Sequence, residues 1–277
     1  MSLEQSDQPL FLIGCGTMAG AMLARWLECG LDPARVTVLR PSGKPVAAGV
    51  SVLTSFPDSL PERAMVMLGM KPQQLAAVAP DLKARWRDDL TLVSLLAGVS
   101  VGHLAAAVAP LAQIVRVMPN TPVALGKGVC ALYADASPDG GLDAGRRQAV
   151  QDLMRPLGLA EWVADERSFN LVTALTGCGP AFLFRFIDAL AKGAGALGLE
   201  EGQAQRFAIA MVEGAAALAS GADADPATLA DRVASKGGMT REGLDVMDEG
   251  GRLESLILDT LRAARDRGVE LEKLAAG

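Results

Sequence analysis

At 277 residues the chain is long enough for about two domains at roughly 150 residues each, and half of its residues are hydrophobic. The net charge of -6, with 26 Lys and Arg against 32 Asp and Glu and no basic block, argues against nucleic acid as a partner, because an acidic surface repels phosphodiesters. A small-molecule substrate is the expected partner, and with one histidine (His103) and one tyrosine (Tyr133), acid–base work falls to Lys, Asp or Glu unless a cofactor carries the reaction.

No membrane partner is expected, since apolar stretches such as Leu104 to Ala112 fall short of the roughly 18 residues of a bilayer span. The first cation is Arg25, with Glu4 and Asp7 ahead of it, which does not fit a secretory signal. Cys15, Cys29, Cys130 and Cys178 lie far apart with no C-x-x-C pair, so neither a disulfide framework nor a metal site is expected. These features predict reduced thiols and a cytoplasmic location.

From residue 9 to residue 165 short β-rich runs alternate with helical stretches, predicting an α/β fold with a Rossmann-type, mostly parallel sheet. The predicted strands are Leu10–Ile13, Val36–Leu39, Ala64–Leu68, Leu90–Leu95, Ile114–Met118, Gly128–Tyr133 and Ala160–Val163. Helical spacing marks Met18–Glu28, Pro72–Arg87 and Asp143–Leu157. The first strand runs into Gly14-Cys15-Gly16-Thr17-Met18-Ala19, a G-x-G-x-x-A turn opening an amphipathic helix. Gly14 and Gly16 would let a pyrophosphate approach, the amides near Thr17 and Met18 would hold it, and Ala19 would admit close packing. After the second strand, where an acid would hold an adenine-ribose hydroxyl, the chain reads Leu39-Arg40-Pro41-Ser42-Gly43-Lys44. Arg40 suits a 2'-phosphate, so NADP is the expected cofactor and NAD the weaker alternative.

Three later loops fall at carboxyl ends of strands, the edge where open α/β sheets bind ligands. They are Gly69–Gln73, with Lys71 and Pro72; Ala97–Ser100, with Ala97 and Gly98; and Met118–Pro122, where prolines flank Asn120 and Thr121. Rigid prolines would present the Asn120 amide to a nicotinamide. His103, just after what looks like a helix start, reads as an ordinary surface histidine.

Beyond Asp165 the chain reads as all-helical, with caps expected at Asp165, Asp225 and Thr240. The predicted domains are 8–165, binding the dinucleotide, and 166–277, helical. Ala181–Leu197 is apolar nearly all round, so a second subunit is expected to cover it. Thr176-Gly177-Cys178-Gly179-Pro180 would interrupt a helix and restart it with proline at its opening. Ser235-Lys236-Gly237-Gly238-Met239-Thr240 places a Gly-Gly turn beside two hydroxyls, an anion nest suited to a carboxylate.

Six ordered motifs then carry a resemblance: F-L-I-G-C-G-T-M-A at 11–19, M-K-P-Q at 70–73, A-G at 97–98, R-V-M-P-N-T-P at 116–122, G-C-G-P-A at 177–181 and S-K-G-G-M-T at 235–240. Together they resemble the pyrroline-5-carboxylate reductases, the NAD(P)H-dependent enzymes of the last step of proline biosynthesis. The resemblance spans nearly the whole chain. It implies reduction of a cyclic imine, with Thr240 at the ring nitrogen as the catalytic contact. It further implies that Ser235, Gly237 and Gly238 bind the substrate's carboxylate. Also implied are a homodimer, in some members five dimers joined into a decamer, and an active site between the cofactor domain and the partner's helices. Lys236 and Met239 depart from the family's usual proline and threonine. A hydroxyacid dehydrogenase is the rival enzyme reading, but it needs a lysine in the first long helix of the second half, and none lies between Asp165 and Ala191. A non-catalytic NADP-binding sensor is the rival from another class.

Overall fold

Apolar residues alternate along the strands so that each face of one sheet finds its own cover. In the computed structural model, which describes residue 3 and residues 7–108, 113–135 and 141–276, eight strands form a single sheet. They are β1 (Leu10–Ile13), β2 (Val36–Leu39), β3 (Ser51–Leu53), β4 (Met65–Leu68), β5 (Thr91–Ser94), β6 (Gln113–Met118), β7 (Gly128–Tyr133) and β8 (Gly158–Trp162). Their order is β3-β2-β1-β4-β5-β6-β7-β8. Neighbours are parallel except β6 and β7, which pair antiparallel because the turn between them is too short for a crossover helix. The last part of the apolar stretch at 104–112, residues 109–112, lies outside the described residues.

Helices α1 (Thr17–Glu28), α2 (Leu75–Ala84), α3 (Val101–Val108) and α4 (Ala144–Met154) divide between the two faces. Leu10, Leu12, Val36, Val38, Met65 and Met67 pack with Met22 and Trp26 of α1 and Leu153 of α4. The intervening Phe11, Ile13, Val66 and Leu68 pack with Leu75 and Leu82 of α2 and Leu104 of α3. β3 was not predicted; it is a three-residue edge strand with no fully buried side chain, too short to show alternation. His103 is half-buried on α3.

The helical half contains α5 (Phe169–Val172), α6 (Gly179–Ala196), α7 (Glu201–Ser220), α8 (Pro226–Val233), α9 (Met239–Asp248) and α10 (Arg252–Ala276). The interruption expected before Pro180 takes the form of a π-helical segment, Thr173–Gly177, and Pro180 opens α6. Asp165 and Asp225 cap as expected, accepting from the amides of Arg167 and Thr228 at 2.9 Å each. Thr240 does not cap: Gly238 holds that position and Thr240 is already inside α9.

By packing, the chain forms two compact units, 1–177 together with 264–277, and 178–263. The second holds α6 to α9 and the first part of α10. Its α6 and α7 meet over a small core of Ala191, Ala204 and Ala208. Much of its apolar surface is left open, with Phe184 66% and Phe207 58% exposed. The helical run 166–196 is also long and apolar enough, by length and composition, to cross a membrane. Charged residues such as Arg185 and Asp188 divide it, so no single unbroken apolar run marks it in the sequence.

Candidate active site

The first unit's sheet changes direction at β1: the chain winds outward through β2 and β3, then returns to β4 on the other side. Such a switch point opens a crevice at the strand carboxyl ends, and the loops after β1 and β4 meet there. Gly14 has φ +81°, and a Cβ on it would lie 2.9 Å from both the backbone nitrogen and the Cβ of Met70. A Cβ on Gly69 would lie 2.8 Å from the Cβ of Ala19, which is itself buried. Gly16 is the N-cap of α1, which has no side-chain cap and no acid in its first turn, so its opening amides remain available to an anion. Thr17 is exposed there and Met18 half-buried.

Arg40 follows β2 and is half-exposed, its Nη1 donating only a long 3.5 Å bond to the Lys44 carbonyl. Burial pushes the Cys15 thiol above its ordinary pKa while the Arg40 guanidinium pulls it down, which puts that cation beside the glycine turn. Lys71 and Pro72 open a short 3-10 turn in which the Lys71 amide donates to Gln74 Oε1 at 3.0 Å, leaving the ammonium exposed. Ala97 is exposed after β5, and Gly98 adopts φ +73°.

Asn120 behaves differently from the sequence expectation of an amide offered to a ligand. It is buried, its Oδ1 accepts from the Val129 amide at 2.8 Å, and its Nδ2 donates to the Thr176 carbonyl at 2.9 Å. The side chain thus ties the loop after β6 to β7 and to the π-helical segment, with one amide hydrogen remaining.

Sequence reasoning missed the neighbouring Arg116. Its guanidinium, 3% exposed, lies 2.6 Å from Glu166, 3.5 Å from Glu272 and 4.6 Å from the centre of the Phe169 ring. Glu166 Oε1 also accepts from the amide of Val101, the first residue of α3, at 2.7 Å. Asn170 donates to Glu272 Oε2 at 2.8 Å. The available signal was an arginine inside the apolar run of β6, since a charge in such a place is almost always paired.

The expected substrate residues gather in the second unit. Ser235 to Gly238 form a turn closed by the Gly238 amide donating to the Ser235 carbonyl at 2.9 Å, with Gly237 at φ +67°. A Cβ on Gly238 would lie 2.5 Å from Ser235 Oγ, so that hydroxyl sits against the turn's backbone. α9 begins here with no side-chain cap. Ser235, Gly237 and Thr240 are exposed, and the Thr240 hydroxyl has no partner within the chain among the described residues. Lys236 and Met239 are also exposed.

A cavity of 380 Å³ opens at the other end of the sheet, where Leu10 and Met65 begin their strands, and none of the expected cofactor residues lines it. The Arg63 guanidinium there faces Asp7, the Arg63 amide donates to Asp89, and Arg146 donates to the Asp88 carbonyl. Among the described residues no group of three His, Cys, Asp or Glu is arranged to hold a metal ion.

Residues 166–271 match the family model for pyrroline-5-carboxylate reductase dimerisation, and residues 10–98 match one described as NADP oxidoreductase coenzyme F420-dependent. A pyrroline-5-carboxylate reductase of Pseudomonas aeruginosa is 31% identical over 271 residues, covering 96% of this chain and 97% of that protein. One from Haemophilus influenzae is 32% identical over 267 residues, covering 95% and 97%. A solved pyrroline-5-carboxylate reductase from Coxiella burnetii is similar with a TM-score of 0.85 at 29% identity, covering 96% of this chain and 99% of that one.

Proposed function

Because the chain belongs to the pyrroline-5-carboxylate reductase family, we infer that it reduces 1-pyrroline-5-carboxylate to L-proline with NADPH, the last step of proline biosynthesis. The observation that carries this is the match along 96% of the chain to a relative of that activity, with glycines and hydroxyls standing at both candidate sites.

The residues fit the dinucleotide. Space for no more than a hydrogen at Gly14, against the Met70 backbone, and an uncapped α1 make a cradle for a pyrophosphate. Gly14, Gly16, Thr17, Met18 and Ala19 would form it, Arg40 would hold the 2'-phosphate, and Lys71, Pro72, Ala97, Gly98 and Asn120 would line the remainder. NADH lacks the phosphate and would bind more weakly. Bound there, NADPH supplies the hydride.

What the chain adds is position. A cyclic imine protonated at nitrogen is electrophilic at carbon already, so no strong protein acid is required. The Thr240 hydroxyl holds the ring nitrogen, and Ser235 with the amides near Gly237 and Gly238 holds the carboxylate. Alignment of this kind supplies up to about 7–11 kcal/mol in well-oriented systems.

We assign dinucleotide binding to residues 8–165 and substrate binding and dimerisation to 166–277. The protein is a homo-oligomer, and a dimer through the helical half is our reading, with a decamer of five dimers as the larger form. The dimerisation match over 166–271 favours a second copy over a bilayer as the cover for the apolar run 166–196. Four free, separated cysteines suit a reducing cytoplasm.

The test is the loss of NADPH absorbance when the purified protein meets pyrroline-5-carboxylate, with proline measured as product. Turnover with one proline per NADPH is expected. Tight NADPH binding without turnover would leave the sensor reading in its place.

A further inference from the structure

The end of α10 reaches the loop after β5 in a way that the reaction does not itself require. A Cβ on Gly98 would lie 3.7 Å from the Leu271 carbonyl carbon and the Glu272 nitrogen, so the backbone of the helix's final turns packs against this glycine. The side chain of Glu272 is fixed from two directions, by Arg116 at 3.5 Å and by Asn170 at 2.8 Å. A Cβ on Gly268, one turn earlier, would come within 2.7 Å of Asn170 Oδ1, so the same asparagine meets the helix twice.

Charge balance sets Glu272 apart from Glu166. Arg116 already has a carboxylate, Glu166, at 2.6 Å, which suffices to neutralise the buried guanidinium. Glu272 is a second carboxylate on the same cation, and its side chain is 29% exposed. It is surplus to neutralising Arg116, and its own backbone nitrogen lies against Gly98. Glu166 meanwhile accepts from Val101 just past the loop. Glu166, through the Val101 amide, and the backbone at Glu272, against Gly98, therefore both reach the segment 97–101, and Arg116 joins their two carboxylates.

We propose that Glu272 is a positioning residue for the cofactor loop at Ala97 and Gly98, acting by locking the end of α10 onto that loop through Arg116. This rests on the reading of Ala97 and Gly98 as cofactor-binding, given above. It makes the C-terminal turns a part of the nicotinamide cofactor site without contact to the ligand.

Glu272→Ala and Glu272→Gln, made in the full chain, are compared with Gly98→Ala and with Lys273→Ala as a neighbouring control. The readouts are the Kd of NADPH by fluorescence, KM and kcat, and the melting temperature. Glu272→Ala should raise the Kd and KM for NADPH by about 2- to 30-fold, the range carried by a residue acting through a packed network. The kcat at saturating cofactor, the KM for the imine and the melting temperature should stay close to wild type. Glu272→Gln, which keeps the acceptor for Asn170, should fall between, and Lys273→Ala should change nothing. Weaker NADPH binding in Gly98→Ala but not in Glu272→Ala would overturn the lock alone. Unchanged binding in Gly98→Ala would remove the loop from the cofactor site and the proposal with it.

Discussion

Replacing Thr240 with alanine separates a contact to substrate from a contribution to the fold. The Thr240 hydroxyl has no partner in the chain among the described residues, and the N-cap of α9 is Gly238, so the substitution breaks no internal bond. Alanine is the better helix former by up to about 0.7 kcal/mol. The melting temperature should therefore stay level or rise by about 1–2 °C. A hydrogen bond to a charged ring nitrogen contributes about 1.5–3 kcal/mol, so kcat/KM should fall about 10- to 150-fold. The assay is steady-state NADPH consumption over a range of pyrroline-5-carboxylate, alongside a thermal melt and an NADPH titration. Thr240→Ser, which restores the hydroxyl, should recover most of the loss. Near-normal kinetics in Thr240→Ala would refute the assignment, and a fall in stability would show that the hydroxyl has a structural partner after all.

Arg40→Ala should weaken NADPH by about 10- to 150-fold, the weight of a charge-assisted phosphate contact, while leaving NADH affinity unchanged; parallel titrations of both cofactors decide it. Phe184→Glu should leave the fold of each chain intact, because that ring is 66% exposed within one chain, yet abolish assembly and activity, as light scattering and the NADPH assay would show. Cys130 is fully buried and its thiol is pushed up to about 12 by burial, so it should resist alkylation until the protein unfolds. Because the folded pKa is the raised one, the stability carried by this protonated thiol is whole below pH 9.0 and is lost as pH rises through about 12. Denaturant melts on either side of pH 9, compared with Cys130→Ala, should show a steeper alkaline loss in the wild type.

The sheet was legible where a strand is buried on both faces. Leu10–Ile13, Val36–Leu39 and Gly128–Tyr133 match the expected spans because continuous apolar runs bounded by turn residues have few other uses. β3 escaped because an edge strand of three half-exposed residues carries no pattern. Gly14, Gly16 and Ala19 stand out by spacing alone because a G-x-G-x-x-A turn joins a strand to a helix, whereas Met70 and Gly69, which close on Gly14 and Ala19 from the loop after β4, carry no such local mark. Nor does Asn120. Its partners Val129 and Thr176 are fixed by the fold, and no local rule says that a loop amide will be consumed internally. The same holds for Arg116, whose carboxylates lie 50 and 156 residues away in sequence. Thr240 has a cap residue's propensity, but α9 begins earlier, with Gly238 at the extended cap position and Thr240 inside the first turn.

The discontinuity of the first unit bears on how the chain is made. Residues 264–277 pack with the unit that holds the sheet but are synthesised only after the whole helical segment 178–263. The sheet can therefore assemble on the ribosome while the partner for Arg116 at Glu272 and the packing against Gly98 do not yet exist. Emergence of the final turns of α10 is the event that completes the unit. A chain truncated before Ala264 would expose the Arg116 side of β6 and leave the loop after β5 without its cover.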